Sequence, residues 1–187
     1  MGALQRRIDR AWLNCKDWIT EFDGSASQAY LARIDMGVLP KAMNTLAQES
    51  SSFRVSAIAP EEDGGGGARG DETYRSEYVD LESIHEQLAR LQRDEIAGLN
   101  VNYARHFEAF DIDLHLIINP SGKQKVDLEI VWWSDQVFSD DADNYPEFKA
   151  LASYFIALQN LFQADKLYIG PETFEEPGPG STDWVEV

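Results

Sequence analysis

The stretch that decides the fold is residues 111–133, DIDLHLIINPSGKQKVDLEIVWW. Polar and apolar residues alternate on both sides of a Pro-Ser-Gly sequence, which predicts two antiparallel strands joined by a hairpin turn. For Leu116 and Leu128 to lie on the same face, the residue numbers of each facing pair must have an even sum. This condition requires a connection of three or five residues, and we expect Gly122 in it to adopt the left-handed conformation.

Amphipathic segments flank this hairpin and predict several helices. We therefore expect an α+β domain with a small antiparallel or mixed sheet, in which the hairpin is central and helices pack against it. The chain is predicted to be one domain over residues 1–187, with a flexible glycine-rich loop at 60–73 and an acidic Pro/Gly-rich arm at 170–187. The predicted helices cover residues 4–22, 27–34, 40–47, 80–98 and 146–162, the further strands 53–59, 167–169 and 184–187, and residues 99–110 are predicted to be a loop leading into a strand.

The charge of the chain is strongly negative and unevenly distributed. Its 33 acidic and 16 basic residues give a formal net charge of −17, and the whole excess lies beyond residue 59. Such a field repels nucleic acids and anionic membrane surfaces, so we exclude both as partners. The single cysteine, Cys15, allows no internal disulfide, and the sequence has no secretory signal or membrane-spanning stretch. We therefore expect a cytoplasmic protein.

The polar face of the hairpin is the candidate binding surface. An aromatic side chain among carboxylates is typical of a contact site for a basic protein. An acidic loop follows the second strand and would extend this surface. The predicted partner-binding residues are Asp111, Asp113, Asp127, Glu129 and Trp133 of the hairpin and Asp140, Asp141 and Asp143 of the loop.

Two other functions remain open at this point. A metal-dependent enzyme would use Asp113, His115, Asp127 and Glu129, since opposed side chains on neighbouring strands can share one ion. A structural or adaptor subunit, including a homodimer, would need the acidic residues only for solubility. The sequence has no recognised nucleophile motif or nucleotide fingerprint, so we predict no catalytic residue and no cofactor.

The small size and acidity of the chain are similar to those of bacterial immunity proteins, which block toxins made by the same cell. The similarity rests on size and charge, and no motif connects the chain to one immunity family. It implies an acidic cytoplasmic protein that neutralises a basic protein partner, such as a cognate toxin. Electrostatic attraction would then speed the association of the two proteins.

Overall fold

The structure is a computed structural model that describes residues 2–19, 26–59, 76–139, 143–171 and 184–187. The predicted glycine-rich loop at 60–73 and most of the predicted arm at 170–187 lie outside these ranges. Four helices and eight strands are assigned within them. The helices are α1 (Ala3–Ile19), α2 (Leu39–Glu49), α3 (Ile84–Gln92) and α4 (Tyr145–Phe162), and the strands are β1 (Ala26–Asp35), β2 (Phe53–Ile58), β3 (Ser76–Val79), β4 (Gly98–His106), β5 (Asp111–Gly122), β6 (Lys125–Trp133), β7 (Lys166–Pro171) and β8 (Val185–Glu186).

The eight strands form one antiparallel sheet in the order β3-β2-β4-β5-β6-β1-β7-β8. The α+β character agrees with the sequence, but the prediction of a small sheet was wrong. The sheet is large because β1 and β4, which the sequence analysis assigned to a helix and a loop, extend it on both sides of the hairpin.

The β5–β6 hairpin has the predicted register. Leu116 faces Ile130, an even sum of residue numbers, and the last pair of this register leaves a connection of five residues, 121–125. The left-handed residue in this connection is Gln124, with φ of 59°, whereas Gly122 has φ of 148°. The register shifts between Pro120 and Gly122, so these five residues contain a bulge followed by a two-residue turn at 123–124.

Strand β1 was wrongly predicted to be a helix at 27–34, and a bulge explains the error. Its register with β6 shifts between Leu31 and Ile34, and Arg33 within the bulge has a φ of 61°. The bulge puts two apolar residues three positions apart, which imitates the spacing of a helix. On both sides of it the strand pairs regularly with β6, and before it also with β7.

Strand β4 occupies most of the segment that was predicted to be a loop. Leu99, Val101 and Tyr103 are buried and alternate with Asn100 and Asn102, which are half-buried. The helix predicted at 80–98 is shorter than expected, because a turn of 3-10 helix at 81–83 precedes α3 and the helix ends at residue 92. Because α3 ends at Gln92, strand β4 can begin at Gly98.

One face of the sheet is covered by helices. Trp132 is fully buried there, and its ring centroid lies 5.0 Å from that of Phe155 in α4. Helix α1 contributes Cys15, whose pKa is raised by burial to about 12. Arg7 of the same helix donates hydrogen bonds to the backbone oxygen of Val187 at 2.7 Å and to Gln159 at 3.2 Å.

Candidate functional site

The second face of the sheet carries the residues that alternate with the core positions of the strands. Its β1–β7 part is covered by Trp184, whose ring lies against Tyr30 and close to Gly170. Over β4, β5 and β6, the side chains on this face are half-buried or exposed. We call this surface the open face; its members are Asn100, Asn102, Asp111, Asp113, His115, Ile117, Asp127, Glu129, Val131 and Trp133.

The exposed carboxylates collect at one end of the open face, where β5 begins and β6 ends. Asp111 and Asp113 lie on β5, with Glu108 in the preceding turn and Asp135 in the 3-10 turn after β6. The backbone amide of Asp113 donates to the side chain of Gln136 at 3.2 Å, which holds this turn against β5. We call this set the acidic rim: Glu108, Asp111, Asp113 and Asp135.

The rim is not neutralised by neighbouring basic groups. Asp111 accepts from His106 at 2.6 Å, but both side chains are highly exposed, so this pair is weak. Arg105, one residue away, instead pairs with Glu49 at 2.9 Å and lies over the ring of Tyr154. Among the described residues, no lysine or arginine forms an ion pair with a rim carboxylate.

An exposed aromatic side chain adjoins the rim. Trp133 is 46% exposed, and the register of the hairpin, continued by two residues beyond its last pair, places it opposite Asp113. On its other side Trp133 pairs with Ala26 of β1, a residue too small to cover the indole. The site thus combines an exposed indole with carboxylates that form no ion pair with a lysine or arginine of the described residues.

The other two predicted hairpin carboxylates lie away from the rim and have internal partners. Asp127 accepts from the Tyr30 hydroxyl at 2.7 Å and from the Arg33 backbone amide at 2.6 Å. Glu129 accepts from Asn119 at 3.0 Å. Asp127 faces a residue eight positions along β5 from Asp111, a distance of about 27 Å at the usual rise of a strand. The hairpin acids therefore form two separate groups.

The acidic loop is only partly described. Asp140 and Asp141 lie outside the described residues, so their relation to the rim is open to experiment. Asp143 is exposed and accepts from the Tyr145 backbone amide at 3.3 Å, just before α4 begins. In the part of the chain that the structure describes, no hydrogen bond or ion pair connects it with the rim.

The four residues of the metal hypothesis are not assembled into one site. No group of three or more His, Cys, Asp or Glu side chains within the described ranges could hold an ion. Asp113 and Asp127 lie toward opposite ends of the hairpin, and His115 faces Val131, an apolar residue. The described residues thus give the metal-enzyme alternative no geometric basis.

A small cleft lies beside the rim and was not anticipated from the sequence. It has a volume of about 310 Å³, and its lining includes Ser51, Arg105, His106, Asp111 and Asp113. A space of this size is at the lower end of the range for ligand pockets. Its residues come from β4, β5 and the bend before β2, so the strand pairing was needed to reveal it.

Two rim residues were also missed by the sequence analysis. Glu108 and Asp135 lie in turns outside the alternating pattern that selected the other acids. The signal available for them was their position at the same end of two paired strands: β4 leads into β5 next to the end of β6. That position becomes visible only when β4 is recognised as a strand.

Comparisons with known proteins do not identify a family for this chain. No family model and no curated protein matches it. A solved structure with partial likeness is the toxic C-terminal tip of CdiA from Pseudomonas aeruginosa in complex with immune protein, at 11% identity over 79% of this chain and 86% of that chain, with a TM-score of 0.42. At this score the likeness carries no argument about this protein. Within the described residues, no helix is long and apolar enough to cross a membrane.

Proposed function

We propose that the protein binds a basic protein partner through the acidic rim and Trp133. The observation that carries the proposal is an exposed indole opposite Asp113, on the open face, where the described side chains are half-buried or exposed. Exposed tryptophans are among the residues that carry most of the binding energy in protein interfaces, and carboxylates beside one favour a basic partner. Within the adjacent cleft, Asp111 and Asp113 would attract a lysine or arginine side chain of the partner, while Arg105, which also lines the cleft, is already paired with Glu49.

The partner class that we favour is a toxin made by the same cell, which this protein would neutralise in the cytoplasm. The support for this class is that the chain is small and acidic, as immunity proteins are. The basic groups of such a toxin would meet Asp111 and Asp113, and Trp133 would pack against an apolar part of its surface. Because the chain carries a net charge of −17, its field would also accelerate the encounter.

The test begins with capture of the partner from native lysate, with the product of the neighbouring gene as a directed candidate. The purified pair is then measured by biolayer interferometry at several salt concentrations. We expect Asp113→Ala and Trp133→Ala each to weaken binding about 10-fold or more, and the association rate to fall as salt rises.

Two variants serve as matched controls for surface changes elsewhere. Glu86→Ala removes an exposed carboxylate from α3, and Leu13→Ala removes an apolar side chain that is 68% exposed on α1. Both should bind as the wild type does. Equal binding by the rim variants, or association that is indifferent to salt, would contradict the proposal.

A further inference from the structure

The side of the sheet that carries the open face continues from β4 onto β2 and β3, away from the acidic rim. Tyr78 of β3 faces Ser56 of β2, and Ser56 faces Asn100, a member of the open face. Directly facing residues on neighbouring strands have their side chains on the same side of a sheet, so Tyr78 lies on the same side as Trp133. Arg54, two residues before Ser56 on the strand, lies there as well. We call Arg54, Ser56 and Tyr78 the β2–β3 extension.

Two exposed aromatic side chains therefore lie on one side of the sheet. Among the described residues, the large apolar or aromatic side chains that are exposed are those of Leu4, Leu13, Tyr78 and Trp133. The two leucines belong to α1, and single exposed leucines are ordinary on a protein surface. Tyr78 is 72% exposed and Trp133 is 46% exposed. Tryptophan, tyrosine and arginine are the residue types most enriched among the anchors of protein interfaces, and the β2–β3 extension supplies the last two.

The two aromatics are close enough to contact one partner protein. Tyr78 lies four strands away from β6, and its row of facing residues meets β6 at Glu129, four residues before Trp133. At about 4.8 Å between strands and about 3.4 Å per residue, the Cα atoms of the two aromatics are separated by about 24 Å. A standard interface buries about 800 Å² on each partner, equivalent to a disc about 32 Å across. One partner of ordinary size can therefore cover both.

Between the two aromatics, the surface has hydrogen-bond acceptors that lack a donor. Asn100 and Asn102 are half-buried, and the side-chain oxygen of each has no hydrogen-bond partner among the described residues. Both oxygens are shielded from solvent, and an acceptor that neither water nor the protein satisfies is unfavourable. A rotation of either amide would present its oxygen to a donor of a protein that lies over this strip. The strip therefore gains hydrogen bonds when such a protein covers it.

Arg54 changes the sign of the charge across this side of the sheet. It is exposed, and it forms no ion pair with an acidic residue of the described ranges. A protein that is basic along its whole contact surface is attracted by the acidic rim but repelled at Arg54. A partner that covers both ends without this repulsion must carry an acidic group opposite Arg54.

We propose that the interface with the partner extends from the acidic rim to the β2–β3 extension, with Tyr78 as its second aromatic anchor. This inference rests on the proposed function, because it enlarges the same interface. The partner that fits is basic where it meets the rim and acidic where it meets Arg54. Other basic proteins lack the second feature, so Arg54 selects the cognate partner against them.

The first test is photocrosslinking in the cell that makes the protein. The photoreactive amino acid p-benzoylphenylalanine replaces Tyr78, Trp133 or Leu13, one position in each variant, and attaches covalently to a protein in contact with it. We expect positions 78 and 133 to crosslink the same protein, and position 13 on α1 to leave it unlabelled.

Each other outcome contradicts the proposal in a different way. A crosslink from position 133 alone would overturn the extension of the interface and leave the proposed function intact. Different proteins at positions 78 and 133, a crosslink from position 78 alone, or equal labelling from position 13 would overturn the extension as well. No crosslink from either aromatic position would overturn both proposals.

The second test measures the affinity of the crosslinked protein, purified without the label, for variants of the β2–β3 extension. Tyr78→Ala is expected to weaken binding about 10-fold, whereas Tyr78→Phe, which keeps the ring, should bind within about 3-fold of the wild type. Arg54→Glu should weaken binding about 10-fold, because two acidic groups then face each other. Both side chains are exposed, so circular dichroism should show an unchanged fold. Tighter binding by Arg54→Glu, or unchanged binding by Tyr78→Ala, would overturn the proposal.

Discussion

The two faces of the sheet differ in what their residues do, although they alternate along the same strands. On the covered face, Leu114, Leu116 and Trp132 are fully buried and hold the helices. On the open face, their sequence neighbours Asp113, His115 and Trp133 are exposed. Residues adjacent in sequence have separate roles here, because successive side chains of a strand point to opposite sides of the sheet. A substitution on one face can then change stability without changing binding, and the reverse.

The neighbouring tryptophans give the largest expected difference between the faces. Trp132→Ala removes a fully buried ring next to Phe155 and should lower the free energy of unfolding by about 3–5 kcal/mol. Trp133→Ala should lower it by no more than about 1 kcal/mol, since its side chain is exposed. Urea denaturation measures both. Similar losses in the two variants would mean that the faces are not distinct.

Gly170 tests the part of the same sheet side, over β1 and β7, that Trp184 covers. A Cβ atom at this position would lie 2.6 Å from the Trp184 ring, closer than a real contact allows. Gly170→Ala should therefore cost about 1–3 kcal/mol of stability through overpacking. In a Trp184→Ala background, the same substitution should cost much less. An equal cost in both backgrounds would show that Trp184 does not cover this strand.

The hairpin acids of the open face differ in role: Asp127 has internal hydrogen-bond partners, whereas Asp113 is an exposed residue of the acidic rim. Asp127→Ala removes the carboxylate that accepts from the Tyr30 hydroxyl and the Arg33 amide, so we expect a loss of about 1–2 kcal/mol in unfolding free energy. Asp113→Ala, the matched change in the rim, should alter stability by less than about 0.5 kcal/mol. If Asp113→Ala is the more destabilising variant, the rim carboxylate has a structural role instead.

Burial of Cys15 under the covered face makes the stability of the protein depend on pH. Burial raises its pKa from 9.0 to about 12, so the unfolded chain releases this proton at lower pH than the folded chain. Stability due to this group is complete below pH 9 and falls as pH rises toward 12, by about 1.4 kcal/mol per pH unit. Denaturation at pH 8 and pH 10 measures the fall. Cys15→Ala should show a smaller decrease than the wild type, and an identical decrease would contradict burial of the thiol.

The hairpin was predictable because its alternation is regular and its register follows from keeping the leucines on one face. The sequence of β1 did not predict a strand. The bulge at Arg33 interrupts the alternation of polar and apolar residues, and both sides of this strand are largely buried. In β4, the asparagines at 100 and 102 are unusual strand residues and concealed a regular alternation. The size of the sheet depended on these two segments.

The candidate site was predictable only in its residue types. Sequence periodicity correctly put Asp111, Asp113, Asp127 and Glu129 on one face, but it holds no information on what else reaches that face. Tyr30 of β1 engages Asp127, and Asn119 engages Glu129. The contact with Tyr30 comes from a strand that the sequence assigned to a helix. Which carboxylates stay accessible was therefore a question of tertiary structure.

The hydrogen bond between Arg7 and Val187 brings the first helix and the last residue of this sequence together. The backbone amide of Val187 donates in turn to the Leu167 carbonyl of β7 at 3.0 Å, so this residue connects the helix with the sheet. Local opening of the short edge strand β8 would therefore loosen α1 as well, and hydrogen exchange at the Val187 amide would report both events together.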